Sequence, residues 1–350
     1  MIRCEYSALL DSCCVNDSTA VEAACRAFGL GDDVKVRAEL HGGVNRVWRV
    51  RGERGEHALH QLLGLTDGAE ALERCAWVAS LELAAVNAGV HAPLPVFVPG
   101  TGAAAVLLPD NPGTFIVHEW YDASSVDAAG TSDAFAASLG DAIARVHMLD
   151  HPPTTAADIL DRRPTASDWS AIASRAGAIG LNWGPPIRAA SSSLEAALRQ
   201  LDEWDSELVA AKVSSHRDLT SANLLNDDDV AVLIDWESAG PISTSSEIGR
   251  TALDNFLSGE TLDQALLASY LDGYACRALL PRIGLDWCTL WIRGLIVFAE
   301  QCARSLLAGS APASLLDFQR QVIEQTPEEL ERRLRLAPIL VEQFRAARLP

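Results

Sequence analysis

Lysine is almost missing from this chain, with Lys35 and Lys212 the only two in 350 residues. All basic residues together number 28 against 47 acidic ones, a formal net charge of −19. A field of that sign repels phosphate backbones and anionic lipid, so neither nucleic acid nor a membrane surface is an expected partner, and a cationic one is favoured. No long apolar run is present either. The most apolar stretch, Leu290 to Ala299, is interrupted by Arg293 and too short to span a bilayer. Where a secretory signal would be apolar, the amino terminus carries Glu5, Asp11 and Asp17. The eight cysteines include no C-x-x-C pair and no zinc-like spacing with histidine. Together these absences predict a cytoplasmic protein whose thiols are free and mostly buried. Internal repeats and low-complexity tracts are also lacking.

What is present is ordinary globular composition, 49% apolar and 21% charged, in a chain long enough for two lobes with separate cores. The first 30 residues read as helical, with Ala20, Val21, Ala24, Cys25 and Phe28 at helical spacing. Strand patterns follow at Val34 to Leu40, Val44 to Val50 and His57 to Leu63, the last two joined by the turn Gly52-Glu53-Arg54-Gly55. Residues 68–88 form a long amphipathic pattern ending at Gly89. Further strands are expected at Val90 to Val98, Ala103 to Leu108 and Phe115 to Trp120, with Pro93, Pro95 and Pro99 as punctuation. These strands and one inserted helix make an α+β lobe over residues 1–119.

Residues 120–350 read as mainly helical. Ala134 to Met148 and Ser193 to Val213 are predicted helices, 151–168 a loop, and Thr326-Pro327-Glu328-Glu329 a helix start. The exception is Ser214 to Ala239, where the apolar runs Asn223 to Leu225 and Val230 to Ile234 flank an Asn-Asp-Asp-Asp turn.

That exception carries the chemistry. It reads Ser215-His216-Arg217-Asp218-Leu219-Thr220-Ser221-Ala222-Asn223, then Leu233-Ile234-Asp235-Trp236-Glu237. Phosphoryl transfer needs a carboxylate to accept or orient the acceptor hydroxyl, and oxygen ligands for Mg²⁺ on the phosphates. A loop H-x-D with Asn five residues on supplies one carboxylate and an amide oxygen. A short hairpin then returns a second Asp toward the same place. Asp218, Asn223 and Asp235 fit these positions, and Glu237 stands either beside the metal's ligands or in solvent.

The H-x-D-x-x-x-x-N loop and the Ile-Asp-Trp-Glu strand resemble those of aminoglycoside phosphotransferases, choline kinases and homoserine kinases. The resemblance implies a two-lobed protein-kinase-like fold, with a small five-stranded antiparallel lobe carrying one helix and a larger, mainly helical lobe holding the acceptor pocket. It implies Asp218 as catalytic base, with His216 and Arg217 as members of its loop, and Asn223 and Asp235 as ligands of Mg²⁺. Upstream, His41-Gly42-Gly43-Val44-Asn45 is similar to the family's glycine turn, so Gly42, Gly43 and Asn45 are expected near the phosphates of ATP or GTP. Glu82 resembles the helix glutamate that pairs with a phosphate-binding lysine. His118, Glu119 and Trp120 resemble the hinge strand whose backbone meets adenine.

One departure is plain. Where the family presents a lysine or arginine, this chain has His60. Either a protonated His60 beside Glu82 replaces it, or Arg49 or Arg51 reaches in, or nucleotide use is weakened. Trp287, Trp291, Phe298 and Phe318 are expected core residues, with Asp286 and Glu300 beside them as candidate acceptor contacts. Three functions follow. The first is a kinase acting on a small-molecule hydroxyl, such as that of an aminoglycoside-like antibiotic or metabolite. The second is a Ser/Thr kinase acting on a precursor peptide, with a partner enzyme of the same biosynthetic cluster. The third is a nucleotide-binding scaffold.

Overall fold

Gly52 and Gly55 close a tight hairpin, and everything in the first half of the chain is built outward from it. The computed structural model describes residues 17–41, 45–62, 68–108, 113–126, 130–154, 165–206, 212–309 and 315–348. Helix α1 (Asp17–Ala27) precedes strands β1 (Lys35–His41), β2 (Arg46–Gly52) and β3 (Gly55–Leu62). Helix α2 (Gly68–Asn87), the short β4 (Val106–Leu107) and β5 (Thr114–Glu119) follow. They form one antiparallel sheet in the order β1-β2-β3-β5-β4.

Strand alternation sorts this sheet into two faces. Trp48 pairs with Leu59, and Leu59 with Val117. These three turn toward α1, where Val21, Ala24, Cys25 and Phe28 complete a buried core. The alternate residues, His60 and His118, take the other face. The side chains that α1 was expected to bury are therefore the ones that hold the sheet in register.

The expected strand Val90 to Val98 is replaced by an irregular segment with two single bridges, Pro95 to His118 in this sheet and His91 to Val232 outside it. Pro93 and Pro95 lack the N–H groups a continuous ladder requires.

The chain groups into two compact units, residues 1–156 with 213–241 and 276–278, and residues 157–212 with 242–275 and 279–350. The first unit runs past residue 119. It takes in β6 (Ser124–Ser125), α3 (Asp133–His147), β7 (Val213–Ser215) and the hairpin β8 (Leu224–Asp227) and β9 (Val230–Leu233). Strand β6 pairs with β8, and α3 packs on β9, which ties the hairpin to this unit.

The second unit is helical: α4 (Ala166–Ala178), α5 (Gly184–Ser206), α6 (Thr244–Phe256), α7 (Gln264–Ala275), α8 (Thr289–Ala308) and α9 (Leu316–Ala346). Helix α4 starts on a reciprocal cap between Thr165 and Asp168, a signal the Pro- and Thr-rich composition around it hides. Trp287 and Trp291 are core residues here, as expected. Asp286 and Glu300 are buried as well, and Glu300 is bound by Arg304 at 2.6 Å, which makes both part of the packing.

The expected helix start at Thr326-Pro327 is overturned, since α9 runs through it with Pro327 and Pro338 inside. Thr326 turns its hydroxyl back to the Val322 carbonyl at 2.7 Å, a back-bond of the kind that bends a helix, just before the residue lacking an N–H.

Beyond that proline, Glu329 receives Arg332 at 2.7 Å and Arg333 at 2.8 Å. Burial raises the carboxyl's pKa, but the two guanidiniums outweigh it and hold it at about 2, against 4.5 ordinarily. A depressed carboxylate stabilises the fold fully above its unfolded pKa, and the contribution disappears as pH falls from about 4.5 toward 2. Glu329→Gln should therefore cost on the order of 2 kcal/mol at pH 7 and almost nothing near pH 2. Urea unfolding of both proteins across that range is the check, and an equal difference at every pH would remove the clamp.

Cys25, Cys75, Cys288 and Cys302 are free and buried, and Cys276 is free and exposed. Among the described residues no helix is long and apolar enough to cross a membrane.

Candidate active site

The β8–β9 turn places Asp228 and Asp229 at φ 49° and 67°. Left-handed conformation at both central residues matches the twist of the flanking strands. This tight return brings Ile234 and Asp235 back onto the segment that left β7. His216 donates from Nε2 to the Ile234 carbonyl at 2.8 Å, and its ring lies 4.7 Å from that of Trp236. The Ile234 N–H donates to the Asn223 carbonyl at 3.1 Å. The two motifs found in the sequence are thereby one structure.

Inside it, Asn223 donates through Nδ2 to the Asp218 carbonyl at 2.8 Å and to its carboxylate at 3.2 Å. The amide oxygen of Asn223 is the atom that a hard cation would take. Arg217 is fully buried and left-handed, φ 67°. It donates to the carbonyls of Ser238 at 2.7 Å and Ala239 at 3.3 Å. A Cβ on Gly240 would stand 2.5 Å from the Arg217 guanidinium carbon, so the glycine is required by that close approach. Arg217 is therefore a buried strut of the site.

Asp235 also adopts the left-handed region, at φ 66°. Such a conformation is uncommon outside glycine, though aspartate tolerates it better than most residues. Glu237, two residues on, receives the Asn45 side-chain amide and faces Asp235. Burial first, then the Asp235 carboxylate and more weakly Asp218, push the Glu237 carboxyl well above its ordinary range. Three carboxyl groups thus share one locality.

His60 lies against this locality from β3, its Nδ1 4.0 Å from Asp235 Oδ1. Burial, then the neighbouring His118, lower its pKa to about 4, with Asp235 opposing. At neutral pH its imidazole is uncharged.

The expected pairing of His60 with Glu82 is not formed. Glu82 is bound by His118 Nε2 at 3.0 Å, and the two histidine rings meet edge to face at 5.4 Å. Cross-strand register explains this, because His60 pairs with Ile116 and His118 lies two residues further along the same face, over α2. Burial acts to lower the His118 pKa, yet Glu82 raises it on balance.

The other expected residues divide. Gly42 and Gly43 lie outside the described residues, while Asn45 is at the site. The hinge N–H groups are already engaged, that of Glu119 with the Leu94 carbonyl at 2.9 Å and that of Trp120 with the Glu56 carbonyl at 3.0 Å. Arg49 is bound to Glu56 at 2.8 Å and stacks 4.2 Å from the Trp120 ring centre, and Arg51 is mostly exposed.

Arg74 is a further cation at the site, marked by neither motif. It donates from α2 to the carbonyls of Glu237, at 3.2 Å, and Ala239. The signal was its place in the stripe Arg74, Val78, Glu82, four residues apart on one helix face. A cavity of about 20 Å³, room for one water, lies beside Arg74, Glu82, His118 and Glu237.

His60 Nδ1, Asp235 Oδ1 and Glu237 Oε2 are buried atoms with no hydrogen-bond partner. One potential ligand atom from each of these three side chains lies within 4.8 Å of the other two. Orphaned carboxylate oxygens beside an imidazole nitrogen are the chemistry that a divalent cation satisfies, so these residues fit such an ion.

No curated protein sequence matches this chain. Solved structures do. An amicoumacin kinase in complex with AMP-PNP and Ca²⁺ aligns at TM-score 0.61 and 11% identity, over 90% of this chain and 94% of its own. A spectinomycin phosphotransferase in complex with ADP and spectinomycin aligns at 0.60 and 11%, over 93% and 98%. A microcompartment-associated aminopropanol kinase aligns at 0.59 and 16%, over 92% and 98%. At these identities the likeness establishes a shared fold. The family model described as the phosphotransferase enzyme family matches residues 36–282, a span that holds β2, β3, α2 and both motifs found in the sequence. This chain belongs to that family of phosphotransferases.

Proposed function

We propose that the protein transfers the terminal phosphoryl group of ATP or GTP to the hydroxyl of an amine-bearing small molecule. The observation that carries this reading is the junction of the two motifs, where Asn223 holds the Asp218 carboxylate at 3.2 Å and the hairpin returns Asp235 beside it. Asp218 accepts the proton of the acceptor hydroxyl as its oxygen bonds to phosphorus and the bond to the leaving diphosphate breaks. Asn223 keeps that carboxylate oriented, and His216 and Arg217 fix the backbone that carries it. Asp235, with Asn223, would hold Mg²⁺, which supplies positive charge to the phosphates. The acidic field of the chain, net −19, favours a cationic acceptor. The spectinomycin and aminopropanol enzymes that share the fold act on molecules of that kind.

The test is ³¹P NMR of the protein with ATP or GTP, Mg²⁺ and a panel of amino alcohols, aminocyclitols and Ser- or Thr-containing peptides. A new phosphomonoester resonance on a small molecule supports the proposal. Transfer to peptides alone, or none to any acceptor with either nucleotide, overturns it.

A further inference from the structure

We propose that His60, Asp235 and Glu237 form a mixed imidazole–carboxylate site that binds a divalent transition ion, such as Mn²⁺, without nucleotide. The three side chains come from strand β3 and from the segment that follows β9, so the site joins the sheet to the catalytic hairpin. Each presents a buried atom with no hydrogen-bond partner outside the trio. Leaving two carboxylate oxygens and an imidazole nitrogen desolvated and unpartnered is costly, and two facing carboxylates repel. One divalent ion relieves all three.

The spacing suits it. At bonds of 2.0–2.2 Å, two donors on one ion lie up to roughly 4.3 Å apart. The His60 and Asp235 atoms, at 4.0 Å, are inside that limit, and the whole set, within 4.8 Å, needs only small side-chain adjustments. The surroundings also hold these groups in place. Asn45 ties down Glu237, Arg74 binds its carbonyl, and His118 confines the His60 ring. None of the three supports competes for the orphaned atoms.

Donor type decides the ion. Mg²⁺ prefers six oxygens and keeps its waters, whereas an imidazole nitrogen shifts preference toward Mn²⁺ and the later transition metals. The site would therefore load a transition ion in preference to Mg²⁺, through a residue outside the pair Asn223 and Asp235. Its service to phosphoryl transfer rests on the function proposed above. The binding itself does not, and the experiment is done without nucleotide or acceptor so that the two stand or fall separately.

The probe is MnCl₂ added to the purified metal-free protein, followed by electron paramagnetic resonance. One ion should bind per chain, with Mg²⁺ competing at least about tenfold more weakly. The electron spin echo of bound Mn²⁺ should carry nitrogen modulation, which changes to the ¹⁵N pattern when wild-type protein is labelled with ¹⁵N-histidine. His60→Ala should remove the modulation and weaken Mn²⁺ by about 10–100-fold, whereas Glu237→Gln should weaken binding but keep the modulation at high Mn²⁺. Binding without nitrogen modulation in the wild type would overturn the site whatever the variants do. So would no binding, the result expected if Asp235 and Glu237 merely share a proton.

Discussion

Asp218→Asn should lower turnover by about 10²–10⁴-fold while leaving nucleotide affinity nearly unchanged, as for a group that acts mainly in the transition state. The substitution is conservative where the structure needs it to be. Asn223 donates to the main-chain carbonyl of residue 218 at 2.8 Å, and the residue 218 N–H points at His216 Nδ1 at 3.4 Å. Neither contact depends on the carboxylate. The new amide keeps an oxygen for Asn223, so the loop should stay folded and Asp235 should stay in place. What is lost is the proton acceptor. Steady-state kinetics, with nucleotide binding measured separately by calorimetry, divide the alternatives. A near-normal rate would move the base elsewhere, and a large loss of nucleotide affinity would make residue 218 a structural or metal-holding group.

The fold was legible where one local rule decides the outcome. The hairpin at Gly52 to Gly55, the apolar stripe of α1 and the Asn-Asp-Asp-Asp turn each needed only neighbours in sequence, and each forms as read. Asn223 also meets Asp218, and Ile234 returns to the Asn223 backbone, because a short hairpin between two motifs leaves little freedom in where it returns.

At the site, the differences involve partners distant in sequence. Glu82 was matched with His60, since nothing local says that His118 sits nearer to α2 on the same face of the sheet. Arg74 was overlooked because its partners are carbonyls more than 160 residues away, and carbonyls leave no trace in sequence. Glu237 was left open between the metal and solvent, and burial decides that choice. Pro327 was read as a start because its local signal is that of a start. Packing of α9 in the helical unit overrides it.

Asp235→Ala should abolish the dependence of nucleotide binding on divalent metal. In the wild type, ATP with Mg²⁺ should bind at least about 10–100-fold more tightly than ATP with EDTA, because the ion bridges protein carboxylate and phosphate. Without the Asp235 carboxylate the two titrations should coincide. Alanine brings a second change, since residue 235 is left-handed at φ 66°, where alanine is strained by about 1–2 kcal/mol. Asp235→Asn separates the causes. Asparagine accepts the same backbone conformation and nearly the same volume, and it removes only the charge. If both variants lose metal dependence, the carboxylate holds the ion. If alanine loses it and asparagine keeps it, the carboxylate charge is not needed, and a neutral oxygen at residue 235 or the turn itself is enough to keep the ion. The Glu237 carboxyl provides an internal check. Asp235 is among the groups that raise its pKa, so in either variant that pKa should move back toward 4.5, a change that carboxyl ¹³C chemical shifts followed against pH would record. An unmoved Glu237 would mean that the two carboxyls do not face each other in solution.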